Sequence, residues 1–375
     1  MSIEDLRERK SKIPPRKIMI LNHKGGCGKS TLAEAVVHRL VAHGNRVLLI
    51  DNDPQCNVSQ RLGMLRSSDF KDRRVNAFYG NLKYGITERS MFLPVRINSS
   101  VLDKYDGALY ILGGSKLCAV EAAAAQNIAL AERLEIDELI NDAMDFYGAY
   151  FDYIVIDNGP AMYGNVANEL MFKAVCDKYG NAVIPFDGTE AVVGLDQVMN
   201  WCIIQAARKY IKPNEKRLRP NGIFVMMKFQ KDTKDLIDLQ LGSKPWSEAI
   251  CHIGNRQIYN FQSSVYTAMS EVFGEEYLCR NAIPERRKIK MLTFAGLEKN
   301  YPIRTLFEAL GDEIIDKTRE HRTNLFDLWE TNKLDEKLNV LMETIENRRY
   351  NNVSYSFTPV RFGDMTKVKR DHNLK

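Results

Sequence analysis

The chain has 375 residues, of which 45% are hydrophobic and 27% are charged, and its formal net charge is +5. This composition is typical of a globular protein and excludes a wholly disordered chain. The sequence holds no run of about 18 apolar residues that would predict a membrane-spanning helix, and its polar N-terminus lacks the apolar centre of a signal peptide. The seven cysteines form no CxxC pair, which argues against a zinc site or a disulfide framework and favours a reducing, cytoplasmic setting.

Apolar strands alternate with helices along the predicted chain. The predicted strands are residues 17–22, 46–51, 108–114, 153–157, 181–186, 222–227 and 277–284. The predicted helices are residues 30–43, 115–147, 165–179, 189–211, 302–318 and 324–348. Strands that are apolar throughout and separated by helices predict an α/β fold, in which a mostly parallel, twisted sheet is covered by helices on both faces.

The same pattern predicts the domain organisation. We expect a polar N-terminal segment over residues 1–16 and one α/β domain over residues 17–320, with a less regular insert near residues 64–107. A C-terminal helical extension follows over residues 321–350. The basic composition of residues 351–375 predicts a flexible tail.

A glycine-rich loop, HKGGCGKST, follows the first predicted strand and opens the first helix. Gly25, Gly26 and Gly28 allow the backbone to curl so that its N–H groups face a polyphosphate, and the start of the helix adds partial positive charge. In a loop of this kind Lys29 contacts the β- and γ-phosphates and the hydroxyl of Ser30 binds Mg²⁺. The loop therefore predicts a site for ATP and Mg²⁺.

The other loop residues are less specific. Lys24 would also suit an exposed surface, but its position beside the glycines favours a phosphate contact. Cys27 occupies the variable position of the loop, where we assign no catalytic thiol, and Thr31 completes the loop. We predict that Lys24 to Thr31 form the phosphate site.

Three aspartates follow predicted strands. Asp51 and Asp53 come after the second strand, and Asp157 ends the fourth. Because ligands of parallel sheets lie beyond the carboxyl ends of the strands, we expect all three on the side of the glycine-rich loop. A carboxylate there can hold Mg²⁺ directly or through water, and another can orient or deprotonate the attacking water. Each aspartate alone would also suit a helix cap or a turn.

These segments resemble the ParA/MinD family of deviant Walker-A ATPases. KGGCGKST resembles the family's phosphate loop, RVLLIDNDPQCN its second motif, and FDYIVIDNGPA its Walker B strand, although Asn158 and Gly159 replace commoner residues. LYILGGSKL, GIFVMMKFQKDT and AIPERRKIKMLTFAGLEKNYPI are weaker matches, and with them the resemblance runs, with gaps, over residues 17–310.

The resemblance implies roles for single residues. Lys24 would reach across a dimer to the nucleotide of the partner subunit, and Asp53 would position the attacking water. Asp51 and Asp157 would support Mg²⁺ through waters. Pro284 and Glu285 would lie near the adenine.

The resemblance also implies a ParA-like partition ATPase, associated with the nucleoid. ATP would close a homodimer that binds DNA without sequence preference, and a ParB-like centromere-binding partner would trigger hydrolysis. Three basic clusters, near residues 208–219, 286–290 and 346–375, are candidate DNA contacts, although such clusters also suit a solvated surface. Because the segment before the first predicted strand is short, we expect no helix-turn-helix domain there.

Four alternatives remain. A MinD-like positioning ATPase needs an amphipathic C-terminal helix for membrane binding, and residues 357–375 have few apolar side chains, so we expect no membrane partner. An electron-transfer ATPase needs paired cysteines, whereas Cys118 and Cys176 are isolated and predicted to be buried. A P-loop tyrosine kinase would carry a C-terminal tyrosine cluster, which is absent. An ATPase that positions another cargo also fits the motifs.

Overall fold

In the part of the chain that the structure describes, the strands form a single sheet. A computed structural model describes residues 14–64, 75–82, 94–160, 164–187, 194–229, 265–266, 268–284, 301–320 and 322–349. The strands are β1 (Arg16–Ile20), β2 (Arg46–Asn52), β3 (Val95–Arg96), β4 (Ala108–Leu112), β5 (Tyr153–Asn158), β6 (Gly180–Phe186), β7 (Asn221–Phe229) and β8 (Ile283–Pro284). They lie in the order β3-β4-β2-β5-β1-β6-β7-β8, and every pair is parallel except β3 with β4.

Helices connect the strands and continue beyond the sheet. They are α1 (Lys29–Ala42), α2 (Asn57–Arg61), α3 (Val75–Leu82), α4 (Cys118–Ala131), α5 (Ile136–Gly148), α6 (Val166–Val175), α7 (Leu195–Arg208), α8 (Tyr301–Arg319), α9 (Leu325–Asn332) and α10 (Leu334–Arg349). A 3₁₀ turn spans Glu275–Tyr277. The predicted α/β fold, with a mostly parallel sheet between helices, is thereby confirmed.

Side chains that alternate along the strands build a core on each face of the sheet. Ile18 and Ile20 of β1 face the same layer as Leu32 of α1 and Leu310 of α8. Met19 faces the opposite layer, which contains α3 to α7. Because both faces are covered, the strands are apolar throughout instead of alternating with polar residues.

Three predicted elements differ from the structure. The helix predicted over 115–147 is two helices, separated at the left-handed Arg133, and the helix predicted over 324–348 divides at the left-handed Lys333. The strand predicted over 277–284 is reduced to Ile283–Pro284, although Leu278 also makes an isolated bridge to Phe224.

The predicted insert and the C-terminal extension both contribute to the core. In the described part of the insert, Phe78 and Tyr79 of α3 are fully buried, and β3 extends the sheet. In the extension, Leu325 of α9 packs directly on Gly222 of β7. Of the N-terminal segment predicted over residues 1–16, residues 1–13 lie outside the described residues, as does the whole tail predicted over residues 351–375.

Over the described residues, no helix has the length and apolar character needed to span a membrane.

Candidate nucleotide site

Two left-handed glycines shape the loop between β1 and α1. Gly26 has a φ of 72°, and Gly28, immediately before α1, has a φ of 99°. This backbone conformation favours glycine at position 28, and a β-carbon there would also lie 2.7 Å from the Cε atom of Met227, so that the methionine side chain would have to move. Gly28, at the N-cap position of α1, has no side chain that could cap the first turn. The helix therefore presents N–H groups of the kind that bind phosphate.

Lys29 is folded back into this loop. Its Nζ atom donates hydrogen bonds to the carbonyl oxygens of Asn22, at 3.2 Å, and Lys24, at 2.9 Å. The residue is only 6% exposed. An ammonium held by neutral carbonyls at the start of a helix is arranged to bind an anion more strongly than it binds its present partners.

Asn22, which the sequence analysis did not select, fixes the start of the loop. Its side chain accepts a hydrogen bond from the backbone N–H of Lys24 at 2.8 Å and donates one to the carbonyl of Pro185 at 2.6 Å. Asn22 thereby joins the loop to the end of β6. The sequence feature that could have identified Asn22 is a polar residue at the end of an apolar strand.

An ion cluster beside the loop was also not predicted from the sequence. Asp187, directly after β6, accepts a contact from Lys24 Nζ on one carboxylate oxygen at 3.1 Å and from Lys228 Nζ on the other at 3.2 Å. The side chain of Asp187 is 7% exposed. Like the predicted aspartates, Asp187 follows an apolar strand at the same edge of the sheet.

Asp51 and Asp157 meet at this edge, as the sequence predicted for parallel strands. They occupy paired positions of β2 and β5, and both are fully buried. Asp51 accepts hydrogen bonds from the Ser59 hydroxyl at 2.6 Å and from the Ser59 backbone N–H at 2.9 Å. Burial raises the pKa of Asp51 to about 6, although these hydrogen bonds favour its charged form.

Asp157 differs from Asp51 because its carboxylate has no such support. Within the part of the chain that the structure describes, neither oxygen of Asp157 receives a hydrogen bond. Burial raises its pKa well above the usual range, and the charge of Asp51 raises it further. The Ser30 hydroxyl lies near enough to lower that pKa without reaching hydrogen-bond geometry.

These residues fit a bound Mg²⁺. Buried carboxylate oxygens without partners are costly unless a cation neutralises them, and Asp157 presents two of them beside the Ser30 hydroxyl. Among the described residues, no group of three or more His, Cys, Asp or Glu is arranged to hold a metal by itself. Mg²⁺ in nucleotide sites usually keeps waters and takes phosphate oxygens, so it needs only one or two protein ligands.

Asp53 lies at the same edge and is 4% exposed. One of its carboxylate oxygens accepts the backbone N–H of Gln55 at 2.9 Å, and its own N–H approaches Asp51 at 3.3 Å. A β-carbon at Gly159 would lie 3.2 Å from the Asp53 carboxylate. The Walker B loop therefore closes directly over Asp53.

Asn158, at the end of β5, belongs to a buried amide network. Its side chain donates to the carbonyl of Ile20 at 3.2 Å and accepts from Asn52 at 2.9 Å. The Asn52 side chain also donates to the side-chain oxygen of Asn168 and accepts a hydrogen bond from the hydroxyl of Tyr79. The Asn168 side chain in turn donates to the carbonyl of Gly159. This network supports the loop after β5.

Of the two residues predicted to lie near the adenine, Pro284 and Glu285, the structure describes only the first. Pro284 pairs with Phe229 at the sheet edge next to Lys228, whereas Glu285 lies outside the described residues.

Cys27 is buried, and burial raises the pKa of its thiol. The raised pKa gives no support for a reactive role. Cys118 and Cys176 are also buried, and burial raises the pKa of each thiol to about 12.

In the basic cluster near residues 208–219, three of the six Lys and Arg side chains make contacts within the chain. Lys209 donates to the carbonyl of Cys176 at 3.0 Å, and Lys212 pairs with Glu138 at 2.6 Å. Arg219 bridges Asp327 and Glu330. Arg208, Lys216 and Arg217 are exposed, whereas residues 286–290 lie outside the described residues.

Comparison with known proteins supports the family resemblance. A family model described as an AAA domain matches residues 15–214, more than half of the chain. An uncharacterised protein of Methanocaldococcus jannaschii is 26% identical over 217 residues, which are 58% of this chain and 74% of that protein. The chromosome partitioning protein ParA of Caulobacter vibrioides is 34% identical over 149 residues, which are 40% of this chain and about half, 49%, of that relative.

Among solved structures, a complex of Cyanothece McdA with ATP has a TM-score of 0.53 and 16% sequence identity. The superposition covers 83% of this chain and 99% of that chain. At this identity, the likeness establishes the common fold.

Proposed function

Because the chain belongs to the ParA/MinD family of P-loop ATPases, we propose that it is a ParA-like partition ATPase that couples ATP hydrolysis to DNA binding. The observation that carries the proposal is the meeting of a lysine-bearing glycine loop with buried aspartates at one edge of a parallel sheet. Two lysines and a helix start supply positive charge for a triphosphate, and Asp157 supplies oxygens for a metal.

Residues Lys24 to Thr31 would bind the phosphates of ATP. The backbone of Gly25, Gly26 and Cys27 would provide N–H donors, and Lys29 would exchange its carbonyl partners for phosphate oxygens. Ser30 and Asp157 would hold Mg²⁺, and Asp51 would support it from the neighbouring strand. When bound, Mg²⁺ neutralises charge on the phosphates and thereby favours attack at the γ-phosphate.

Asp53 would orient the attacking water. Its carboxylate is fixed by the N–H of Gln55 and covered by Gly159, so it needs little reorganisation to hold a water near the phosphates. Lys24 is one-third exposed and held at its tip by Asp187. In a closed homodimer this lysine would reach the triphosphate of the partner subunit, where a cation lowers the energy of the transition state.

DNA binding and partition are supported by the ParA relative from Caulobacter and by the exposed basic residues of the first cluster. We propose that the ATP-bound dimer binds DNA through its phosphates, associates with the nucleoid, and releases DNA when a ParB-like partner stimulates hydrolysis. Arg208, Lys216 and Arg217 are better candidates for DNA contacts than Lys209, Lys212 and Arg219, because the latter three already have partners within the chain.

The deciding experiment measures fluorescence anisotropy of a random duplex with the full chain, with and without Mg²⁺ and ATP, at increasing salt. We expect binding in the ATP state only, with an affinity that falls steeply as salt rises. The double variant Lys216→Gln/Arg217→Gln should weaken binding and reduce the salt slope by about one per lost contact, whereas Lys212→Gln should leave both unchanged.

Absence of DNA binding at low salt in the ATP state would overturn the partition role. Binding of the ATP state to anionic lipid vesicles instead would favour the MinD-like alternative. ATP-dependent dimerisation with neither interaction would favour an ATPase that positions another cargo.

A further inference from the structure

The end of β7 forms one wall of the phosphate loop. Met227 lies against Gly28, and Nζ of Lys228 would lie 3.9 Å from a β-carbon placed on Gly26. Both loop glycines in the left-handed conformation therefore face β7. Lys228 brings an ammonium group to the loop from a part of the chain outside the loop motif.

The backbone directs Lys228 to this position. Lys228 has a φ of 53°, a left-handed conformation that is unfavourable for a lysine. The pairing of β7 with β8 shifts register at the same point, because Met227 pairs with Ile283 and Phe229 pairs with Pro284. An irregularity of this kind redirects a side chain, and such local strain concentrates at functional sites.

The electrostatics around Lys228 favour an anion. Lys24 and Lys228 both contact the carboxylate of Asp187, so these three side chains together carry two positive charges and one negative charge. Asp187 is nearly buried, whereas the side chains of Lys24 and Lys228 are 33% and 26% exposed. An approaching polyphosphate would therefore meet the two ammonium groups before the carboxylate beneath them.

We propose that Lys228 is an additional phosphate-binding lysine of this site, and that Asp187 is an internal substitute for phosphate that holds Lys24 and Lys228 before the nucleotide binds. The proposal rests on the proposed ATP-binding function. On binding, the phosphates would replace Asp187 as the partner of Lys228, and Lys24 would leave the same carboxylate for the triphosphate of the partner subunit. The carboxylate would compete with nucleotide for each lysine.

This competition predicts opposite effects for the two members of one ion pair. Loss of the Lys228 charge removes an attraction to phosphate, so ATP binding should weaken. Loss of the Asp187 charge removes the competitor, so ATP binding should strengthen. An ion pair that only stabilises the fold would produce effects of the same sign in both variants, in proportion to the lost stability.

The test is isothermal titration of the full chain with Mg²⁺ and a non-hydrolysable ATP analogue. Lys228→Gln should bind about tenfold more weakly than the wild-type chain, the effect of one charged hydrogen bond, and Lys228→Arg should retain most of the affinity. Asp187→Asn should bind several times more tightly. Thermal unfolding of each variant shows whether it is folded.

A matched control is available in the Lys173–Asp137 pair, which has the same 3.2 Å separation as Lys228–Asp187 and is buried between α6 and α5. Lys173→Gln should lower stability and leave the affinity unchanged. Unchanged affinity in Lys228→Gln, or weakened binding in both Lys228→Gln and a folded Asp187→Asn, would overturn the inference. If Asp187→Asn does not fold, the difference between Lys228→Gln and Lys228→Arg decides. A wild-type chain that binds no nucleotide would instead refute the proposed function, and the inference with it.

Discussion

The carboxylates of Asp51 and Asp157 occupy directly paired positions of β2 and β5, and both are buried. Asp51 is supported by Ser59, whereas the oxygens of Asp157 receive no hydrogen bond from the described residues. Two neighbouring buried carboxylates repel each other, which is why the charge of Asp51 raises the pKa of Asp157 beyond the effect of burial. The fold therefore maintains a local excess of acidic groups that a divalent cation would neutralise.

Asp157→Asn tests whether the Asp157 carboxylate binds the metal, because the variant keeps the shape of the side chain and removes its charge. Without nucleotide, the free energy of unfolding of the variant should equal that of the wild-type chain or exceed it by about 1–3 kcal/mol, because an amide replaces a poorly solvated acid. Thermal unfolding with ATP should then show a Mg²⁺-dependent increase in the wild-type chain and none in the variant. An equal Mg²⁺ effect in both proteins would remove Asp157 from the metal site.

Lys29→Ala tests the phosphate loop itself. Loss of an ammonium that contacts phosphate should weaken ATP binding by about 2–3 kcal/mol, or roughly 30- to 150-fold. Isothermal titration measures this loss, and circular dichroism checks that α1 is intact. Wild-type affinity in a folded variant would mean that the loop is not the nucleotide site.

Hydrophobic pattern was sufficient to predict the central strands. The apolar runs that contain Ile18, Leu48 and Ile154 are buried on both faces, so each was recognisable without knowledge of its neighbours. The two-residue β3 carries too little pattern to be recognised. The breaks at Arg133 and Lys333 depend on left-handed backbone conformations that neither residue type indicates.

In the candidate site, too, some residues were predictable from the local sequence and others were not. The loop and Asp51, Asp53 and Asp157 were predictable because each follows an apolar strand within a local motif. Asp187 and Lys228 required knowledge that β6 and β7 are neighbours and that β7 is irregular at Lys228. Their ion cluster is a property of tertiary contacts, and its members are distant in sequence.

Asp53→Ala should retain ATP binding and lose hydrolysis. Asp53 lies beside the proposed metal ligands, and general base or water-positioning residues contribute roughly 10²- to 10⁴-fold to rate. Phosphate release should fall by that order, and light scattering should show that ATP-bound dimers accumulate. Turnover at the wild-type rate would exclude Asp53 from the reaction.

Lys24→Ala should weaken dimerisation more than ATP binding. Its ammonium is partly exposed and is held by Asp187, so it is available to a second subunit after the lysine leaves that carboxylate. Light scattering in the presence of Mg²⁺ and ATP should show monomers at concentrations where the wild-type chain forms dimers. Titration should show a smaller loss of ATP affinity than in Lys29→Ala. Dimerisation equal to that of the wild-type chain would contradict the role of Lys24 across the interface.

A partly buried ion pair behind the site, between Glu34 of α1 and Arg61 of α2, gives a pH-dependent prediction. Their side chains are 2.9 Å apart. Burial raises the pKa of Glu34 from 4.5 to about 7, although Arg61 lowers it. Between these two values the unfolded chain releases the Glu34 proton while the folded chain retains it, so this residue makes the free energy of unfolding fall as pH rises.

Glu34→Gln should remove that contribution, because glutamine does not titrate and still offers an oxygen to Arg61. Urea unfolding at pH 5 and pH 8 should show that the wild-type chain loses about 1–3 kcal/mol more stability across this interval than the variant does. Asp103→Asn is a suitable control, because it makes the same change from carboxylate to amide at an exposed position. If Glu34→Gln and the wild-type chain lose the same stability between pH 5 and pH 8, Glu34 is not the group whose protonation stabilises the folded chain.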